Sequence, residues 1–271
     1  MTHRSLHSSL PTSIVFGHHH RLGKDAPAIY ALEGSVAVAG RAVQWLRDSL
    51  GIINSAPEVE ALAKSVGESA GVTFVPAFTG LFAPYWRSDA RGCIFGMTLY
   101  TTKAHIAYAT LEAVAFQVRE VLDAMEADSG IKLALLKVDG GMTLNRLLLQ
   151  LQANTNQVPV VVPSEVETTA LGAAFAAGLA VGVWASIDAL KHVNPAAKQY
   201  TPISDAADAN AKLARWKGRV QRTLNLAATG AAAAEEGAEK NESVAGTSGV
   251  AAAVPALLPF VGLFLFTLLL K

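Results

Sequence analysis

The stretch VDGGMTLN, residues Val138 to Asn145, leaves an apolar run, LALLK (residues 133–137), and leads into LNRLLLQLQAN (residues 144–154). A strand that stops at a glycine pair and restarts as a helix is the repeating unit of an α/β fold. The glycines let the backbone reach positive φ and leave no side chain between the loop and whatever lies above it. The helix that follows starts with unpaired N–H groups and the positive end of its dipole, which suits an anionic ligand. Downstream, VPVVV (residues 158–162) reads as a strand and ETTALGAAFAAGLAVGVW (residues 167–184) as a small-residue helix that lets neighbours approach closely. Strands alternating with helices predict an α/β domain with parallel pairing. Ligands in such sheets sit beyond the carboxyl ends of the strands, where Gly140 and Gly141 fall.

Upstream, Pro27 to Leu32 is a short apolar segment. Val36, Ala39, Val43 and Leu46 then recur at helical spacing through SVAVAGRAVQWLRDSL, and Gly51 closes that helix. EVEALAKSV (residues 58–66) predicts a shorter helix. GVTFVPAF (residues 71–78) and CIFGMTL (residues 93–99) predict strands, separated by the loop that holds GLFAPYW and SDARG. From Thr102 to Asp128 the residues Ala107, Leu111, Val114, Val118, Val121 and Met125 step by four and three, so one apolar face runs along a long helix that Gly130 stops.

The chain has 271 residues, with 22 Lys plus Arg against 22 Asp plus Glu. That zero balance argues against a nucleic-acid binder, which needs a basic face for phosphates. A single cysteine, Cys93, excludes an internal disulfide framework; set in Cys93-Ile94-Phe95, it reads as a buried structural thiol. Residues 1–21 read as an irregular segment without the apolar core of a secretory signal. Residues 228–249 read as a flexible linker of small residues with a few charges. Val250 to Leu270 then carries no charge, which predicts a C-terminal hydrophobic helix serving as a membrane tail anchor, with Pro255 and Pro259 inside it; a packed helix is the alternative. An anchor of this kind leaves residues 22–227 facing the cytosol.

Most of the eye-catching side chains have plain explanations. His18, His19 and His20 lack matching ligand spacing for a metal and read as a solvated cluster. His105 reads as structural near a helix start, and Asp123, Glu126 and Asp128 as a solvated helix end. No acid/base couple, Gly-x-Ser-x-Gly or phosphate-loop motif occurs.

Five segments in order, YALEGSVAVAGRAVQWLRD, VPAFTGLFAPYW, ARGCIFGMTLYTTKAHIAYATLEAVAFQVREVLDAM, VDGGMTLNRLLLQLQ and ETTALGAAFAAGLAVGVW, resemble the C-terminal domain of glycerol kinases in the FGGY carbohydrate-kinase family. The resemblance runs from about Leu22 to Trp216. It implies an actin-like architecture of two ribonuclease-H-like lobes, of which residues 22–227 form the second, nucleotide-binding lobe. By position, Gly141 and Asn145 match adenosine-side contacts, and Gly40 and Gln44 match two further nucleotide contacts. The chemistry agrees, because glycine permits close backbone approach and an amide both donates and accepts; for Gln44 a solvated helix residue is the alternative.

The implied reaction is ATP plus glycerol giving ADP and glycerol 3-phosphate, with magnesium. The family's catalytic aspartate, polyol contacts and phosphate hairpin precede the segment matching YALEG, and nothing in Met1 to His20 resembles them. No catalytic or metal-binding residue is therefore assigned here, glycerol is expected only if the other lobe is supplied, and a homo-oligomer is allowed. Membrane-associated members of the family suggest the mitochondrial outer membrane, with endoplasmic reticulum as the alternative and the cytoplasm if the tail does not insert. The rival reading is a non-catalytic, membrane-tethered domain that binds nucleotide or a partner. Arg146, ANTNQ (residues 153–157), Phe82 and RSDARG (residues 87–92) depart from the family pattern.

Overall fold

The protein is described by a computed structural model over residues 16–20, 29–227 and 264–270. Its centre is α3 (Lys103–Ser129), whose face of Leu111, Val114, Val118, Val121 and Met125 is buried. Each such side chain contributes roughly 1.5–3 kcal/mol on burial. Thr102 and His105 form a capping box at its start, with the Thr102 N–H donating to His105 Nδ1 at 3.0 Å, so the histidine is structural as expected. Gly130 ends the helix at φ 69°.

Around α3 pack α1 (Gly40–Asp48), α2 (Glu58–Lys64), α4 (Arg146–Asn156) and the strands β5 (Leu136–Lys137) and β6 (Val160–Pro163). On its other side, α6 (Ala206–Val220) lays Leu213, Trp216 and Val220 against Val75 of β3 (Thr73–Val75) and against Ala113 and Phe116 of α3. Trp45 stacks on Phe74 with ring centres 5.3 Å apart, joining α1 to β3. A buried polar knot ties the layers: Glu120 of α3 accepts from the Tyr85 hydroxyl and, at 2.9 Å, from Trp216 Nε1. Both carboxylate oxygens have a donor, which is what a buried carboxyl requires.

The α/β content is as expected, but the pairing is mostly antiparallel. Among the described strands only β5 and β6 run parallel, joined through α4; β7 (Ala196–Tyr200) returns antiparallel to β6. β3 pairs antiparallel with β4 (Cys93–Phe95), and β2 (Ile29–Val36) lies between β1 (Phe16–His20) and β8 (Phe264–Leu270), antiparallel to both. The helix expected to run from Ser35 begins only at Gly40, because β2 continues to Val36 before the chain turns. Val36, Val38 and Ala39 are buried, which gave these strand and turn residues their helix-like spacing. Cys93 is half-buried rather than buried, since β4 lies over the fully buried β3; its partial burial pushes the thiol pKa up.

Two terminal expectations change. The segment read as irregular contains β1, and the side chains of His18, His19 and His20 lie outside what the structure describes. The predicted C-terminal hydrophobic helix is not formed over Phe264–Leu270, which pairs as a strand with β2 from Tyr30↔Leu270 to Val36↔Phe264. The edge of β2 offers backbone partners to an aromatic- and leucine-rich segment, while Pro255 and Pro259 disfavour one continuous helix. Residues 250–263 lie outside the described residues, as does the linker of residues 228–249. Among the described residues no helix is long and apolar enough to cross a membrane.

Candidate nucleotide site

The parallel ladder continues one residue past β5, with Val138 N–H donating to Val161 O at 3.0 Å, and then breaks at Gly140. Gly140 has φ 79° and ψ 178°, a conformation essentially reserved for glycine. A single 3-10 turn, Gly141–Leu144, follows and is closed by Thr143, whose hydroxyl donates to Gly140 O at 2.7 Å. Gly140 N–H donates to Val166 O at 2.9 Å, and the Asp139 carboxylate accepts from the Thr168 hydroxyl, so the turn is fastened to the start of α5 (Thr168–Ala180).

Gly141 differs from its neighbour. Its φ lies outside the positive range, and nothing lies within 4 Å of where a Cβ would stand. Local backbone geometry and packing therefore leave room for a side chain at a position that has none. Gly40 opens α1 directly beside this turn, with Met142 Sδ 3.7 Å from its would-be Cβ. Gln44, one helical turn further along α1, is exposed on the same face, and its Oε1 accepts from Arg41 Nη1 at 2.9 Å. Asn145 caps α4: its Oδ1 accepts from Leu148 N–H at 2.9 Å. Gly40, Gly141 and Asn145 thus gather on one turn and the helix start facing it, while Gln44 borders them on α1.

The anion-binding expectation for the helix after the glycines does not hold for α4. Asn145 takes the Leu148 N–H, and Glu60 Oε2 of α2 takes the N–H of Arg146 at 3.2 Å. A carboxylate already occupies this helix start and would repel a phosphate. What is left open is the surface formed by the turn and the start of α1. Among the described residues no group of three or more His, Cys, Asp and Glu could hold a metal ion.

Sequence reading missed Glu60 and Thr168 as parts of this region and gave Asp139, within the Asp-Gly-Gly motif, no partner. The ETT at residues 167–169 was visible as the start of a helix, but its bond to Asp139 spans 29 positions and leaves no periodic signal. A partly open cavity of about 60 Å³, lined by Glu68 to Phe74 and residues of α3 and α6, includes no residue of the glycine turn.

The glycerol kinase of Chloroflexus aurantiacus is 57% identical over 201 residues, covering 74% of this chain and 40% of that protein. The crystal structure of Plasmodium falciparum glycerol kinase with ADP matches with a TM-score of 0.69 and 40% identity, over 74% of this chain and 40% of that one. A xylulose kinase from Rhodospirillum rubrum matches with a TM-score of 0.58 and 28% identity, over 71% of this chain and 39% of its own. The chain thus spans about 40% of the length of these relatives, and its neighbours are sugar kinases of the expected actin-like, ribonuclease-H-like class. Residues 6–181 match the model of the C-terminal domain of the FGGY family of carbohydrate kinases, and the chain belongs to that family.

Proposed function

We propose that residues 22–227 are the nucleotide-binding part of a glycerol-kinase-type phosphotransferase, which moves the terminal phosphoryl of ATP to glycerol to give ADP and glycerol 3-phosphate. The observation that carries the nucleotide assignment is Gly141: its backbone conformation does not require glycine and its surroundings leave room for a side chain, so a ligand approaching the backbone accounts for the missing one. The Plasmodium relative was crystallised with ADP, which supports the same ligand here. Gly40 and Gly141 present backbone to the nucleoside. Asn145 and Gln44 each have their amide oxygen engaged within the protein, so their NH₂ groups are the ones free to donate to ligand acceptors.

Magnesium would arrive with the phosphates, because the described residues supply no ligand cluster for it. Phosphoryl transfer needs positioning and charge stabilisation from both sides of a cleft. The aspartate that the family uses as base has no counterpart assigned in this chain, so turnover of glycerol is proposed for the whole enzyme, with the region described here as its nucleotide seat.

The second reading, a non-catalytic, membrane-tethered domain that binds nucleotide or a partner, is favoured on its partner side by α5 and the segment after it. Val181 and Val183 are 78% and 67% exposed, and residues 168–187 carry no charge. Thermal melts of the full chain with and without ADP test the nucleotide reading. A ligand at a hundred times its Kd stabilises by about 2.7 kcal/mol, so the melting temperature is expected to rise with ADP concentration; no rise at millimolar ADP contradicts the assignment. Glycerol 3-phosphate formation, followed with the other part of a relative supplied in trans, separates the two readings.

A further inference from the structure

We infer that Asp139 and Thr168 are positioning residues, a clasp that holds the Gly140–Gly141 turn in the shape that receives the nucleotide; this rests on the nucleotide reading above. The turn contains a backbone conformation, Gly140 at φ 79° and ψ 178°, that glycine enters freely and can also leave freely, so bonds around it must select it. Three bonds do so. Thr143 closes the turn from within by donating to Gly140 O at 2.7 Å, and Gly140 N–H reaches Val166 O at 2.9 Å. The Thr168 hydroxyl donates to the Asp139 carboxylate and joins the residue before the turn to the first residue of α5.

This third bond has a character the others lack. Asp139 is exposed and Thr168 only half-buried, so the bond adds little to global stability, as exposed polar pairs generally do. Its effect is confined to what it spans, which is the glycine turn and the start of α5. Without the clasp Asp139 has no partner drawing it toward α5, and the turn populates shapes in which Met142 no longer meets Gly40 at the start of α1. A ligand that binds one shape of the turn then loses affinity in proportion to the lost population.

The test compares Thr168→Val, which keeps the shape and removes the hydroxyl, with Thr168→Ser, which keeps the donor, and with Asp139→Ala. Two quantities are read on the full chain: hydrogen exchange of the peptide spanning residues 138–145 without ligand, and ADP affinity by calorimetry. Thr168→Val and Asp139→Ala are expected to speed exchange and weaken ADP binding, each by roughly 1.5- to fivefold, the fold-change that corresponds to the about 0.2–1 kcal/mol of an exposed polar pair. Thr168→Ser is expected to match the parent in both, and all melting temperatures to stay close to that of the parent. Unchanged exchange and affinity in Thr168→Val overturns the clasp. A parent chain that binds no ADP overturns the nucleotide reading and with it the purpose assigned to the clasp, whereas the exchange data alone decide whether the clasp holds the turn.

Discussion

The two glycines at 140 and 141 are adjacent in sequence but stand in different physical situations, and alanine at each should separate them. At Gly140 the φ of 79° with ψ of 178° lies where an L side chain is strained, at a cost of about 1–3 kcal/mol. No neighbour lies within 4 Å of its would-be Cβ, so strain is the whole penalty. At Gly141 the same open space is present without positive φ, and alanine there narrows the unfolded ensemble, which is worth about 0.4–1 kcal/mol in favour of folding. The unfolded-state gain is common to both alanines, so the two variants should differ by the strain at Gly140 alone, roughly 1–3 kcal/mol. Urea unfolding followed by tryptophan fluorescence measures the difference from the transition midpoints. Equal destabilisation by the two alanines, or a loss above about 1 kcal/mol for Gly141→Ala, would show that the fold itself demands glycine at 141 and would remove the reason for placing a ligand there.

Two other substitutions probe the scaffold behind the site. Tyr85→Phe removes one of the two donors to the buried Glu120 carboxylate and should cost about 1.5–3 kcal/mol, the value of a hydrogen bond to a charged group; a loss below about 0.5 kcal/mol in thermal or urea unfolding would mean that the knot is not holding the loop to α3. Glu112 of α3 has its carboxyl pKa raised, first by burial, with the Ser69 hydroxyl and the Lys212 and Arg215 charges opposing. A raised folded pKa means that the stability from Glu112 is full below the ordinary carboxylate range and is lost as pH rises through the raised value. Glu112→Gln should therefore melt higher than the parent at pH 8 and no higher at pH 4, and the same difference at both pH values contradicts the cause given.

Elements with strong periodicity were legible in the sequence, and those built by distant partners were not. The long apolar face from Ala107 to Met125 and the stop at Gly130 predicted Thr102 to Asp128 as helix, and α3 runs Lys103–Ser129 with Gly130 as its left-handed cap. α6 carried a similar signal in Ala209, Leu213, Trp216 and Val220, stepping by four, three and four, and could have been found the same way. β7 could not, because four of its five residues are exposed and its sequence, Ala-Ala-Lys-Gln-Tyr, shows no alternation of apolar and polar positions. The tail was misread because an uncharged run reports only that it avoids water; whether it winds as a helix or zips onto β2 depends on a free edge more than two hundred residues away.

In the candidate site, the glycine pair, Asn145 and Gly40 came from the motif and its family resemblance, and the structure brings the start of α1 against the turn through Met142. Glu60 capping α4 and Thr168 holding Asp139 are cross-element bonds over 86 and 29 positions, for which a single sequence has no pattern to offer. The phosphate expectation for α4 failed partly for the same reason: Glu60 of α2 takes the Arg146 N–H, while the Leu148 N–H is taken by Asn145, the helix's own cap.

The account stands on the claim that the surface around Gly40, Gly141 and Asn145 seats a nucleotide, and calorimetric titration of ADP into the full chain and into Gly141→Val addresses it directly. The branched side chain enters space that is open in the free protein, so the fold should be retained, with melting unchanged or slightly raised, while the ligand loses its approach to the backbone. Saturable binding by the parent, weakened at least about tenfold in the variant, corresponding to about 1.4 kcal/mol, is the predicted result. Equal ADP affinity in parent and variant, both folded, would contradict it.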